Sequence, residues 1–190
     1  TMYPYAFTKW QAEELIMHWV RTYNFPAISF RFFNAYGFRQ RTSGAYGAVF
    51  GVFLAQKVAK KPLTIVGSGK QTRDFIHVSD LVRGIIKAAT SKKIGKIYNI
   101  GSGKEVKIKK IAKLIGGKTV NIPKRPGEPN RSVADISKIK KDLNWSPKIS
   151  IEQGIKDLQK NIYYWKNAPV WSPNSIKKVT KTWFKYLSKK

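Results

Sequence analysis

The fold is decided by the run Ala27-Ile28-Ser29-Phe30-Arg31-Phe32-Phe33, which consists almost entirely of apolar and β-favouring residues. Such a run is typical of a parallel strand that is buried on both faces. Helical periodicity precedes it at residues 4–23, with Pro4 in the first turn, and follows it at residues 48–60. These elements predict the last βα portion of a doubly wound sheet.

Shorter elements alternate along the rest of the chain. We expect strands at residues 63–66, 75–77, 96–100 and 119–122, and helices at residues 80–89, 108–115 and 151–165. This alternation predicts an α/β fold. A proline-rich break at residues 123–129 precedes the helical C-terminal part, and a second break at residues 168–173 precedes a lysine-rich tail with helical spacing.

Composition narrows the class of protein. With 190 residues and 42% hydrophobic content, the chain can bury one substantial core, which predicts one domain or one and a part. It has no cysteine and only two histidines, which argues against disulfides and against a metal site. The sequence has neither a run as long as a membrane span nor a signal-peptide pattern. We therefore expect a cytoplasmic protein.

The charge balance is strongly basic. The 37 Lys and Arg against 10 Asp and Glu give a net charge of +27, so a nucleic-acid or membrane-surface binding module has to be considered. Most of the lysines fall on predicted helix exteriors, where exposure to solvent accounts for their charge without any bound ligand. Several of the fewer arginines lie instead in motifs, at Arg31, Arg73, Arg125 and Arg131. Because guanidinium groups bind phosphates in bidentate fashion, this distribution favours a diphosphate ligand over a polyanion, and we expect no nucleic acid partner.

Tyr5 and Lys9 are four residues apart in the first predicted helix, so their side chains share one face. An adjacent ammonium group favours the phenolate, and a phenol poised near neutral pH can exchange a proton with a hydroxyl group. The same spacing recurs at Tyr186 and Lys190. An ordinary exposed helix pair is therefore the alternative interpretation.

Four further motifs follow this pair in order. They are Phe33-Asn34-Ala35-Tyr36-Gly37, Gly67-Ser68-Gly69-Lys70-Gln71-Thr72-Arg73-Asp74-Phe75-Ile76-His77-Val78-Ser79-Asp80, Tyr98-Asn99-Ile100-Gly101-Ser102-Gly103 and Arg125-Pro126-Gly127-Glu128-Pro129. The succession resembles the extended short-chain dehydrogenase/reductase family, specifically its NAD-dependent nucleotide-sugar epimerases and dehydratases. This resemblance covers nearly all of the chain to about Trp165. It implies the C-terminal part of a Rossmann-like doubly wound parallel sheet with a smaller α/β substrate-binding domain.

The resemblance implies a catalytic and cofactor role for three residues. Tyr5 would be the acid/base, and Lys9 would hold the nicotinamide ribose of NAD and lower the pKa of Tyr5. Phe33 would border the nicotinamide. His77 is expected to be a structural hydrogen-bonding histidine, and Asp80 to be the N-cap of the helix that follows it.

Four more residues would bind the substrate, most simply a UDP-hexose. Asn34 follows the predicted strand, where open α/β sheets bind ligands, and relatives use this asparagine on the diphosphate-sugar. Arg73 would pair with the diphosphate. Arg125 would bind phosphate and Glu128 the ribose hydroxyls from one Pro-Gly turn. A strand-ending asparagine and a plain surface ion pair are the alternatives.

The reaction expected from the resemblance is epimerisation of a nucleotide sugar through a 4-keto intermediate. Residues 5–13 are similar to UDP-glucose 4-epimerases, and Trp10 departs from the arginine that sugar-acid decarboxylases tend to have there. A nucleotide-sugar 4,6-dehydratase is the alternative within the family, a family member without catalysis is another, and a basic binding module is the alternative outside it. The enzyme is expected to be able to form a homodimer.

No glycine-rich turn that opens a helix precedes Tyr5, and neither Gly67-x-Gly69 nor Gly101-x-Gly103 has the third glycine of that motif. We therefore expect the chain to be the C-terminal portion of a longer enzyme and to be inactive alone. We expect residues 1–60 to end the NAD-binding domain, residues 61–167 to bind the nucleotide sugar, and residues 168–190 to form a basic helical tail.

Overall fold

The computed structural model describes residues 4–40, 42 and 48–187. Leu187 is described by its backbone alone. Seven α-helices occur in these ranges: α1 Pro4–Tyr23, α2 Val49–Val58, α3 Val78–Ala89, α4 Ile108–Ile115, α5 Ser137–Leu143, α6 Ile151–Lys160 and α7 Pro173–Leu187. Seven strands alternate with them: β1 Ile28–Phe32, β2 Asn34–Tyr36, β3 Leu63–Val66, β4 Thr72–His77, β5 Lys96–Ile100, β6 Glu105–Lys107 and β7 Thr119–Ile122. A short 3-10 helix spans Ile162–Trp165. The predicted α/β class is confirmed.

The strand pairing is mostly parallel. β1 pairs with β5, β2 with β4 and β3 with β7, all in parallel, while β6 adds to β4 in antiparallel fashion. β1 and β2 are separated by Phe33 alone, whose N–H donates to the carbonyl of Ile100 at 3.1 Å. The chain thus changes partner strand at Phe33, and β2 delivers Asn34 next to β4.

The prediction that β1 is buried on both faces is wrong for the described residues. Its residues are half-buried or exposed, and Phe32 is 55% exposed. The reason is that β5 is the only strand that pairs with β1 in the part of the chain that the structure describes. The apolar pattern correctly indicated a parallel strand, but burial also requires neighbours on both sides.

Two hydrophobic clusters form the interior. One joins β2, α2, β3, β4, β6, α4, α6 and the 3-10 helix, with Phe50, Phe53, Leu54 and Ile111 at its centre. The other joins β4, β5, α3 and α5 around Tyr98, Ile100 and Trp145. β4 contributes Phe75 to the first cluster and Ile76 to the second, so adjacent residues of this strand face different cores. The domain boundaries at residues 60 and 167 stay a prediction.

The start of α3 differs from the prediction. The helix begins at Val78, and its N-cap is His77, whose Nδ1 accepts from the Ser79 N–H at 3.3 Å. Asp80 is fully buried and instead accepts from the backbone N–H groups of Lys148 and Ile149 at 2.9 and 2.8 Å. It therefore ties two segments together, and the N-cap assignment of Asp80 is wrong.

None of the helices in the described ranges has both the length and the apolar character needed to cross a membrane.

Candidate active site

One cavity collects the four residues predicted to bind the substrate. Asn34 at the start of β2, Arg73 on β4, and Arg125 and Glu128 on the loop after β7 all line it. Its volume is about 300 Å3, which lies at the lower end of small-molecule sites. The structure therefore brings together residues from three separate motifs that span 95 positions of the sequence.

Glu128 connects the two arginines of the cavity. Its Oε1 is 3.0 Å from Nη1 of Arg125, and its Oε2 is 3.9 Å from Nη2 of Arg73. Arg73 also donates from Nη1 to the carbonyls of Thr72 and Pro129, at 2.8 and 2.7 Å. These bonds hold the guanidinium of Arg73 against the loop that carries Arg125. Two guanidinium groups around one carboxylate form a site with the charge and donors that bind phosphate oxygens.

Asn34 is oriented by the neighbouring strand. Its Nδ2 donates to the backbone carbonyl of Asp74 at 3.0 Å. This bond ties the side chain across the β2 and β4 pair, in which Asn34 is opposite Phe75. The amide is thus held at the cavity lining rather than left to rotate in solvent.

Asp74 was missed by the sequence interpretation as an organising residue of the site. Its carboxylate is fully buried and accepts four hydrogen bonds, from Ser102 N, Ser102 Oγ, Gly103 N and Ala134 N, at 2.7, 2.6, 2.9 and 3.1 Å. The Gly101-Ser102-Gly103 turn therefore binds a protein carboxylate with its amides. The available signal was an acidic residue directly after Arg73 and directly before the apolar pair Phe75 and Ile76.

A buried amide in α2 is the second feature that the sequence interpretation missed. Gln56 is completely buried; its Oε1 accepts from Thr64 N at 3.1 Å and its Nε2 donates to Thr64 Oγ1 at 2.9 Å. Thr64 lines the cavity. A glutamine within the apolar run of α2 was a detectable signal, because a fully buried polar side chain needs specific partners.

The structure places Tyr5, Lys9 and Phe33 outside the lining of this cavity. Tyr5 and Lys9 are both exposed on the first turns of α1, with Nζ of Lys9 5.6 Å from the centre of the Tyr5 ring. Thr8 donates from its hydroxyl to the Tyr5 carbonyl at 2.9 Å and so stays within the helix. Phe33 is half-buried and packs against the second core. The pair therefore shares one helix face as predicted, and both side chains are open to solvent.

His77 and Tyr36 form a structural contact. Their rings meet edge to face with 5.3 Å between centroids. Burial lowers the pKa of His77 and raises the pKa of Tyr36 far above its usual value, so both groups are neutral near pH 7. Among the described residues, no group of three or more His, Asp and Glu side chains could hold a metal ion.

Comparisons with known proteins identify the relatives of this chain. The sequence model of the family described as GDP-mannose 4,6 dehydratase matches residues 1–158. An uncharacterised UDP-glucose epimerase of Bacillus subtilis, YtcB, is 35% identical over 159 residues, which are 80% of this chain and 49% of that protein. UDP-glucuronic acid decarboxylase 2 of Arabidopsis thaliana is 36% identical over 162 residues, which are 80% of this chain and 36% of that protein.

A solved structure has the same fold. UDP-glucuronic acid 4-epimerase of Bacillus cereus, crystallised with UDP-glucuronic acid and NAD, is 34% identical, with a TM-score of 0.77 over 85% of this chain and 52% of that one. The chain thus spans about half or less of the length of these relatives.

Proposed function

This chain belongs to the GDP-mannose 4,6-dehydratase family, and on this premise we propose that its protein is an NAD-dependent epimerase of a nucleotide sugar. The observation that carries the proposal is the cavity at which Asn34, Arg73, Arg125 and Glu128 meet. The relatives named above act on UDP-sugars by their names, which favours a UDP-hexose as substrate.

The diphosphate of the substrate would bind between Arg73 and Arg125. Both side chains are largely buried, at 16% and 19% exposure, so their charge is screened less by solvent than that of a surface arginine. Glu128 holds them in place without a ligand. A carboxylate at this position is also suited to accept hydrogen bonds from ribose hydroxyls, while the guanidinium groups take the phosphates.

Tyr5 would serve as the acid/base. In this proposal its phenolate accepts the proton of the sugar C4 hydroxyl and later returns a proton to that oxygen. The ammonium group of Lys9, on the same face of α1, stabilises the phenolate and hydrogen-bonds the nicotinamide ribose. Bound NAD would supply the acceptor and then the donor of the C4 hydride, and return of the hydride to the opposite face of the 4-keto sugar would give the C4 epimer.

The described residues fit only one end of NAD. Tyr5 and Lys9 are exposed side by side and Phe33 follows β1, so these three residues could hold the nicotinamide half. The Gly101-Ser102-Gly103 turn does not offer its amides to the pyrophosphate of NAD, because the amides of Ser102 and Gly103 already donate to Asp74. This fit supports a cofactor role for part of residues 1–60, although Asn34 of the same segment lines the substrate cavity.

A 4,6-dehydratase is the second candidate, favoured by the name of the matching family. Incubation of the full-length protein with NAD and UDP-glucose, followed by NMR of the product, separates the two reactions. The proposal predicts UDP-galactose. A 4-keto-6-deoxy sugar would identify a dehydratase. No change in any UDP-hexose would refute the proposed epimerase, and no change in GDP-mannose or dTDP-glucose as well would refute the dehydratase. Release of carbon dioxide from UDP-glucuronic acid would instead identify a decarboxylase.

The proposal extends to location and assembly. The absence of cysteine supports a cytoplasmic enzyme. Exposed Leu15, Ile16 and Trp19 on α1 support a homodimer, which sedimentation of the full-length protein tests. The arginine-lined cavity favours this enzyme over a nucleic-acid or membrane-surface binding module, because that alternative requires one contiguous basic surface.

A further inference from the structure

We propose that the C-terminal tail, residues 168–187, forms a wall of the nucleotide cavity and contacts the base of the bound nucleoside diphosphate. The inference rests on the proposed function, since it assumes that the cavity binds a nucleotide. The family match ends at residue 158, so the tail lies beyond the segment shared with that family. The tail would thus be a determinant of nucleotide affinity outside the residues that the family model matches.

The tail helix has a defined start beside the cavity. α7 begins with Pro173, a favoured first residue, and Ser172 precedes it as N-cap. Ser172 Oγ accepts from Ser175 N at 3.1 Å, and Ser175 Oγ accepts from Ser172 N at 2.8 Å. This reciprocal cap satisfies the amides of Ser172 and Ser175 and determines where the helix begins.

Two hydrogen bonds anchor the residue before the cap. The carbonyl of Trp171 accepts from Nε2 of Gln56 at 2.6 Å, and Nε1 of Trp171 donates to the carbonyl of Thr42 at 3.2 Å. Gln56 is the fully buried amide of α2 that also holds Thr64. Trp171 is therefore connected both to α2 and to the segment after β2, and the tail has a definite position across the cavity.

The tail contributes apolar surface to the cavity. Trp171, Ile176 and Val179 line it together with Arg73 and Arg125. Farther along α7, Trp183 donates from Nε1 to the carbonyl of Pro126 at 3.1 Å, and its ring centroid is 5.9 Å from the guanidinium carbon of Arg125. The cavity thus has a charged part for phosphate and an apolar part supplied by the tail.

Two polar atoms at the cavity are available to a ligand. Among the described residues, Gln40 Oε1 and Arg125 Nε are buried and have no hydrogen-bond partner. Both residues line the cavity. A buried acceptor and a buried donor without partners cost free energy, which a ligand with its own donor and acceptor can recover. A nucleoside diphosphate meets this requirement: the base carries N–H groups and the phosphates carry acceptor oxygens.

The tail acts as a wall and not as a plug. With α7 in place, the cavity still has a volume of about 300 Å3. The apolar side chains would pack against the planar base, while the arginines bind the diphosphate. Loss of tail contacts should therefore weaken a nucleotide but not inorganic pyrophosphate, which has no base.

The test is titration calorimetry of the full-length protein with UDP and with pyrophosphate. In the double variant Ile176→Ala with Val179→Ala, we expect UDP to bind about 10-fold more weakly, as for loss of a few methyl groups from an apolar pocket. Pyrophosphate affinity should change by less than about twofold, since neither residue is charged. Tyr186→Ala is the matched control, because Tyr186 is 67% exposed on the same helix and is not part of the cavity lining.

Several outcomes would overturn the inference. They are unchanged UDP affinity in the double variant, equal weakening of UDP and pyrophosphate, and tighter UDP binding, which would mean that the tail obstructs the site. The single variant Val179→Ala tests whether the double variant loses UDP affinity only because it misfolds. Val179 is 46% exposed, so this variant should retain the wild-type melting temperature and still bind UDP more weakly. If the wild-type protein binds no UDP, the proposed function itself fails and this inference with it. If the wild-type protein binds UDP and the tail variants bind it equally well, this inference is refuted and the proposed function is not.

Discussion

Replacement of Arg73 with alanine should weaken UDP binding without unfolding the protein. In the structure its side chain is 16% exposed, and its guanidinium is oriented by bonds to the Thr72 and Pro129 carbonyls, with Oε2 of Glu128 3.9 Å from its Nη2. Loss of one charge-assisted hydrogen bond to a phosphate costs about 1.5 to 3 kcal/mol, which corresponds to a dissociation constant about 10- to 150-fold higher. Titration calorimetry of the full-length protein with UDP measures this change directly.

The same substitution also removes a support of the loop that carries Arg125, because the Pro129 carbonyl loses its donor. Arg73→Lys should therefore fall between wild type and Arg73→Ala: it keeps the charge but loses the planar group whose Nη1 binds both carbonyls while Nη2 faces Glu128. Arg131→Ala is the control for net charge. Arg131 is 70% exposed, pairs with Glu105 and is outside the cavity lining, so its loss should hardly change UDP affinity. Unchanged affinity in Arg73→Ala, or an equal loss in Arg131→Ala, would refute a diphosphate site at Arg73.

Two other predictions concern stability. Asp74→Asn should lower the free energy of unfolding by about 3 kcal/mol or more, because an amide cannot accept from all four donors around this buried carboxylate. Chemical denaturation measures this loss. A change below about 0.5 kcal/mol would mean that the four bonds contribute little to stability. Hydrogen bonds from Arg31 hold the pKa of Glu13 below its ordinary value of 4.5, so the stability from this pair is complete above pH 4.5 and is lost as acid protonates the carboxylate. Glu13→Gln should therefore lower the melting temperature at pH 7 and make it less dependent on pH below 4.5, whereas an unchanged acid profile would contradict the role of the pair.

Local sequence patterns predicted most helices and strands correctly, because the hydrophobic periodicity that marks each of them lies within its own residues. The strands predicted at residues 63–66, 96–100 and 119–122 and the helix predicted at 108–115 match the structure residue for residue. The three-residue strand β6 was missed, since its length leaves almost no periodicity. β1 was correctly predicted to be a parallel strand, but the prediction that it is buried was wrong, because burial depends on which strands lie beside it.

Side-chain roles that depend on distant partners could not be read from local patterns. Arg125 and Glu128 share a rigid turn, so their pairing was foreseeable from spacing alone. By contrast, Asp80 binds amides 68 and 69 positions away, and Gln56 binds a carbonyl 115 positions away. The sequence marked the tail as a basic helix, but only the fold reveals that its apolar face lines the cavity.

The most direct test of the account is the rate of UDP-hexose epimerisation by the full-length Tyr5→Phe variant, with UDP affinity measured in parallel. If Tyr5 is the acid/base, the rate should fall by about 10²- to 10⁴-fold, because the proton transfer is lost. UDP affinity should stay close to wild type, because Tyr5 is outside the cavity lining. A variant that retains most of the wild-type rate would remove Tyr5 from the reaction and contradict the proposed mechanism.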